Sequence, residues 1–249
     1  MLIKDIIDFI LPAHCQICGG RLYGSEKTIC TICIGNIVPT NYHTVPHNLM
    51  ERLFWNQIPI DKATAYTRYD NDSSRQIVML TKYMSHPEVG YRIAEIYART
   101  LMQSDFFDGI DVIIPVPISW QRQLHRHYNQ SEYIARAVSD VTGIPMRTDI
   151  VKKAIHNKTQ TKLSHDERRD NTHGVYKLLK PEHISGKHIL LIDDVVTTGS
   201  TIISCAKELM KADNVIFTIL SLAHATRHIH TQTKNDEADS SAFGLPFLN

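Results

Sequence analysis

The sequence predicts an α/β fold: a mainly parallel sheet with helices on both faces, preceded by a small four-cysteine zinc module. Three observations predict it. Short apolar runs at 111–117, 188–196 and 214–225 alternate with amphipathic segments of helical length, the pattern of βαβ units. The runs at 111–117 and 188–196 are almost continuously apolar, as strands buried on both faces are. Two Cys-x-x-Cys pairs stand near the start, at 15/18 and 30/33, while Cys205 stands alone. Close pairs in an odd total suit metal thiolates in a reducing compartment better than disulfides.

The elements follow in order. Residues 1–11 carry Ile3, Ile6, Ile7 and Ile10 at helical spacing before Pro12, a short amphipathic helix. Lys4, Asp5 and Asp8 interrupt its apolar run, so it reads as neither a leader nor a span; a cytoplasmic protein is expected. Residues 12–40 form the ribbon. Each Cys-x-x-Cys turns two sulfurs toward one point, and eleven residues separate Cys18 from Cys30. Four thiolates, Cys15, Cys18, Cys30 and Cys33, complete a tetrahedral shell and leave no open position, so the zinc is structural. His14, His43 and His47 read as surface histidines.

A connector spans 41–60, with Pro46 and Pro59. Residues 62–69 alternate as a strand, and Ser73 or Ser74 caps a helix running through Met84. A second helix covers 87–103, and 111–117 is a buried strand ended by prolines. A third helix runs 130–142 and stops at Gly143. A strand is expected at about 146–151, then a polar stretch to 174, the strand 188–196, a helix 200–212 and the strand 214–225. The α/β domain thus covers 41–230, and 231–249 is a polar, disordered tail. Trp55 reads as a packing residue and Cys205 as an inert core thiol.

The stretch "HILLIDDVVTTGST" (188–201) concentrates the chemistry. A turn of Thr197, Thr198, Gly199, Ser200 and Thr201 leading into a helix leaves backbone N–H groups without internal partners. With the hydroxyls and the helix dipole, those donors suit a phosphate monoester. Gly199 lets the backbone approach closely. The Gly-Lys-Ser/Thr ending of a nucleoside-triphosphate loop is missing. Asp193 and Asp194 can take ribose hydroxyls or metal-bound water. Ligands of such sheets lie beyond the strands' carboxyl ends, where the prolines of "IIPVP" and these acids share a crevice. The net charge is only +1, but residues 118–169 hold ten Lys or Arg against five Asp or Glu, which favours an anionic ligand near that segment.

Residues 189–201 resemble the 5-phosphoribosyl-1-pyrophosphate (PRPP) motif of type I phosphoribosyltransferases. The cysteine pairs, "LTKY", "IIPVPISWQRQLHRHYNQSEYIA", "QTKLSHDERRDN" and that motif together resemble the ComF family, late-competence proteins named for DNA uptake. The resemblance covers about residues 12–225 and implies the Rossmann-like fold of type I phosphoribosyltransferases. It implies the 5′-phosphate on residues 197–201, the ribose on Asp193 and Asp194, and pyrophosphate on Pro115, Val116, Pro117 and Ile118. Arg122, Arg126, Asn129 and Gln130 match the family's Arg…Arg-x-x-Asn-Gln stretch, and Gln160, Leu163, Arg168 and Asn171 its flexible loop. It further implies Mg2+ bound with PRPP, catalysis by Asp193, Asp194 and Arg168, and single-stranded DNA or DNA-processing proteins as partners.

This sequence departs from the family at His127, where Gly is usual, at Asn157, where Thr is usual, and after Lys82-Tyr83, which lack the following Arg-Gly. Nothing in it reads a particular acceptor or oligomer. Transfer and mere sensing of PRPP both remain open, as does a non-catalytic role beside nucleic acid. Only Arg21 and Lys27 are basic within 12–40, which argues against autonomous DNA binding by the ribbon.

Overall fold

The computed structural model describes residues 12–69, 79, 86–120, 123–124, 128–154 and 175–225. The expected helices at 1–11 and 73–84, the polar stretch 155–174 and the tail after 225 lie outside these residues, wholly or nearly so.

Six strands and four helices are described. In chain order they are α1 (Thr31–Gly35), β1 (Ile60–Arg68), α2 (Pro87–Leu101), β2 (Val112–Pro115), α3 (Gln130–Thr142), β3 (Val151–Lys153), β4 (Tyr176–Leu178), β5 (His188–Val196), α4 (Ser200–Leu209) and β6 (Ile216–His224). Four strands form a parallel sheet in the order β1-β6-β5-β2.

Alternation along the strands builds a core on each face. Leu190 and Ile192 of β5, with Leu220 and Leu222 of β6, pack with Ile93 and Tyr97 of α2 and Ile134 and Val138 of α3. Ile189, Leu191, Phe217 and Ile219 face the other way, against Ile202, Cys205 and Leu209 of α4. Helices therefore cover both faces. Cys15, Leu22, Ile29, Cys30 and Ile37 of the ribbon join the α2/α3 core, so the ribbon packs as part of that layer.

β5 keeps its expected bounds and runs through both acids to Val196, because Asp193, Val195 and Val196 stay in register with Ser221, Ala223 and His224 of β6. Elsewhere the bounds shift. α4 stops at Leu209, where the N–H groups of Lys211 and Ala212 bond three residues back and tighten the chain. The strand expected at 146–151 is displaced. Met146 makes one parallel bridge to Ile113, the Arg147 side chain closes on Asp149 at 2.7 Å, and β3 begins at Val151 as half of an antiparallel pair with β4.

The connector is a built strap. Thr40 N–H donates to Tyr66 O at 2.9 Å, and Thr67 Oγ1 donates to Val38 O at 2.9 Å. Asn48, buried, donates Nδ2 to Ala63 O at 3.0 Å, while its Oδ1 accepts from the N–H groups of Met50 and Glu51. The strap thereby satisfies an edge that would otherwise present open backbone groups.

Candidate functional site

The geometry starts at the carboxyl ends of β2 and β5. Pro115 pairs with Ile192, and Val116 N–H donates to Ile192 O at 2.9 Å. The loop Val116, Pro117 and Ile118 therefore leaves the sheet beside Asp193. Asn129 ties that loop to α3: its Nδ2 donates to Val116 O at 3.2 Å, while its Oδ1 caps the helix by accepting from Ser131 N–H at 3.1 Å. Ser131 Oγ then donates to Asp193 Oδ1 at 3.0 Å. One acid, the proline loop and the start of α3 form a single hydrogen-bonded corner.

The two acids differ. Asp193 is half-buried; its Oδ1 also accepts from Asp194 N–H at 2.9 Å. Asp194 is buried, and its Oδ1 accepts from Val195 N–H at 2.6 Å. Asp193 thus has the greater access to a ligand.

The turn 197–201 follows at once. Thr197, Thr198, Ser200 and Thr201 are exposed and Gly199 is buried. Gly199, at φ 74°, is the N-cap of α4 and makes no side-chain cap. Ser200 N–H reaches only Thr198 Oγ1, at 3.5 Å, and Thr198 Oγ1 donates to Ser200 Oγ at 3.1 Å. By contrast α3 is capped by Asn129. The start of α4 keeps donors and the positive end of its dipole open to an anion. The concavity over the turn is about 20 Å³, room for little beyond one water-sized group, so a larger ligand must also lean on the acids and the proline loop.

One partner of the turn leaves no signal in the sequence. Phe54, fully buried in the strap, stands beside Gly199, and a Cβ built there would lie 2.9 Å from Phe54 Cε1. Ser131 was also missed, although Asn129 ahead of an amphipathic run is a cap signal that places it. Among predicted site residues, Arg122, Arg126, Gln160 and Arg168 lie outside the described residues. Arg147, one of the basic residues of 118–169, is spent elsewhere: with Lys180 it pairs with Asp149, at 2.7 and 2.5 Å, and the two hold that carboxyl below the usual carboxylate range.

The four ribbon cysteines converge. Their sulfurs lie within 4.8 Å of one another, with Cys18 and Cys30 at 3.8 Å. Zinc–sulfur bonds of about 2.3 Å place tetrahedral sulfurs about 3.8 Å apart, so the set fits such an ion. Burial raises the Cys15 thiol, but N–H donors of Cys18, Cys30 and Ile17 outweigh it and bring it down to about 6. All five cysteines are free thiols. Cys205 is fully buried and burial pushes its thiol far up, as an inert core thiol requires. Two expectations are corrected. His43 is half-buried with Nδ1 lacking a hydrogen-bond partner, because the strap folds it against Tyr97. Trp55 is 42% exposed, since its neighbour Phe54 takes the core position.

A parallel sheet carrying a phosphate-type turn after an acid pair defines the class, and the chain belongs to the phosphoribosyl transferase domain family, whose model matches residues 80–244. The ComF resemblance holds as well. Competence protein F of Haemophilus influenzae is 35% identical over 116 residues, 46% of this chain and about half (51%) of that protein. DNA utilization protein YhgH of Escherichia coli K12 is 25% identical over 200 residues, 79% of this chain and 84% of that protein. Competence protein ComFC of Bacillus subtilis is 24% identical over 204 residues, 79% of this chain and 78% of that protein. Among solved structures, glutamine PRPP amidotransferase from B. subtilis overlaps 57% of this chain and 30% of its own, at 20% identity and a TM-score of 0.40. No helix among the described residues is long and apolar enough to cross a membrane.

Proposed function

We propose that this chain binds PRPP with Mg2+ at the carboxyl ends of β2 and β5. The observation that supports this most is the uncapped start of α4 joined to the acid pair. The 5′-phosphate accepts from the N–H groups and hydroxyls of residues 197–201, where the helix dipole adds to the attraction. Asp193, oriented by Ser131, accepts from the ribose hydroxyls; Asp194 holds the strand end that carries it. Pyrophosphate rests on Pro115, Val116, Pro117 and Ile118, with Arg122, Arg126, Gln160 and Arg168 as its further partners. Carboxylate oxygens of the acid pair suit Mg2+, which neutralises pyrophosphate charge when bound. The ribbon cysteines hold a structural Zn2+. The chain is cytoplasmic and either transfers or senses the phosphoribosyl group.

Asp193→Ala with Asp194→Ala abolishes PRPP binding by calorimetry in the presence of Mg2+; unchanged affinity refutes the reading. A screen for pyrophosphate release across purines, pyrimidines, ammonia and amines then separates an enzyme from a sensor.

A second reading rests on the relatives' names, which concern competence and DNA utilization. Here the fold is a non-catalytic module acting in DNA uptake beside single-stranded DNA or DNA-processing proteins, with PRPP as regulator. Salt-dependent binding of single-stranded DNA supports it, and no binding at low salt opposes it.

A further inference from the structure

A cleft lies away from the acid pair. It encloses about 590 Å³ between the strap, the start of β1 and the chain after α2. Ile60, Asp61 and Lys62 line it, and Ile60 pairs with Phe217, which pairs with Ile189. The cleft thus sits at the amino-terminal end of the strands and shares no lining residue with the concavity over the turn. Its volume is that of a small-molecule site.

Its chemistry is uneven. Glu51, Asp61 and Asp105 supply three carboxylates against one cation, Lys62. Lys62 is already committed: its Nζ lies 3.1 Å from the Asp105 carboxylate and donates to Asp105 O at 2.6 Å. Glu51 accepts from the neutral Asn48 at 2.9 Å, and among the described residues Asp61 forms an ion pair with His188 alone, at 3.9 Å. Two carboxylates therefore lack a Lys or Arg partner among the described ion pairs. The wall beside them is apolar and aromatic: Val45, Pro46, Trp55 and Phe106. Trp55 is fixed in place, because Arg52 stacks on its ring at 5.9 Å while donating Nε to His47 O at 2.9 Å, and the His47 ring meets its edge at 5.5 Å. His43 brings an Nδ1 with no hydrogen-bond partner. Burial lowers its pKa, so the neutral ring does not repel a cation.

We propose that this cleft is a second ligand site, for a small organic cation: an ammonium or guanidinium group carrying an apolar body. The charged end pairs with Glu51 and Asp61, and the body packs on Trp55 and Phe106, where a cation–π contact adds to the attraction. This stands independently of PRPP binding.

The test uses the full chain with Trp120→Phe, so that Trp55 alone reports fluorescence. Titration with 2-phenylethylamine gives a saturable change with a Kd of about 1 mM or tighter. N-acetyl-2-phenylethylamine, equally aromatic but uncharged, binds at least about tenfold more weakly. Glu51→Gln with Asp61→Asn weakens the amine at least about tenfold while the melting temperature and PRPP affinity stay unchanged; the glutamine keeps an oxygen for Asn48. No saturable change up to about 10 mM, equal binding of the acetylated probe, or an unaltered affinity in the double variant overturns the proposal.

Discussion

Phe54 stands over Gly199 so closely that a β-carbon on the glycine would lie 2.9 Å from the ring. The contact joins the strap to the turn across 145 positions of sequence, and it sets two demands on one residue. Gly199 needs φ 74° to start α4 and needs an empty face to admit the ring. Gly199→Ala therefore meets a left-handed backbone penalty of about 1–2 kcal/mol and an overpacking cost of roughly 1–3 kcal/mol. Adding Phe54→Leu recovers the steric part and leaves the backbone part. A double-mutant cycle by thermal or urea unfolding measures that coupling; strict additivity contradicts the contact.

Ser131 acts on Asp193 through one hydrogen bond of 3.0 Å. Ser131→Ala removes an orienting bond worth about 0.5–1.5 kcal/mol. PRPP affinity falls by roughly three- to tenfold, with a shift in melting temperature of under about 3 °C. Calorimetry beside a thermal melt separates this positioning role from loss of fold.

Because Cys15, Cys30 and Cys33 pack in or against the α2/α3 core, metal removal acts on the whole chain. Chelation lowers the melting temperature of the single main transition by roughly 4–8 °C, about 2 kcal/mol, instead of creating a separate low-temperature step. A thiol reagent then reacts fastest with Cys18 and Cys33 in the folded, chelated protein and with all five cysteines in denaturant. Cys15, Cys30 and Cys205 react slowly in the folded chain, for they are buried.

Acid weakens the fold in two windows. Burial lowers the pKa of His188, partly offset by Asp61 and Asp111, and burial with Arg68 nearby lowers that of His224. A lowered folded value means that the unfolded chain takes up protons first. The stability is therefore full above about pH 6.5 and declines as pH falls from there through the folded values. Asp149, held low by Arg147 and Lys180, keeps its contribution until pH passes below about 4. His224→Gln removes one titrating group from the upper window, so its stability falls less between pH 7 and 5 by urea unfolding. An equal fall refutes the assignment.

Much of this was legible in the sequence. Helix α3 begins and ends where Asn129, Gln130 and Gly143 place it, since capping chemistry is local. Strand β1 was legible from alternation, though its partner β6 was not. The displaced strand at 146–151 escaped because an apolar run does not say which edge it meets.

By itself the sequence determined the local devices: the cysteine knuckles, the buried strand that carries Asp193 and Asp194, and the open turn after it. Each follows from neighbours a few positions apart, where backbone geometry and capping suffice. Only the tertiary structure decided what stands around them: Phe54 on Gly199, Ser131 on Asp193, the ribbon on the α2/α3 layer, and the acidic cleft beside β1. Those contacts join residues distant along the chain, and they arise because packing two faces of one sheet brings such segments together.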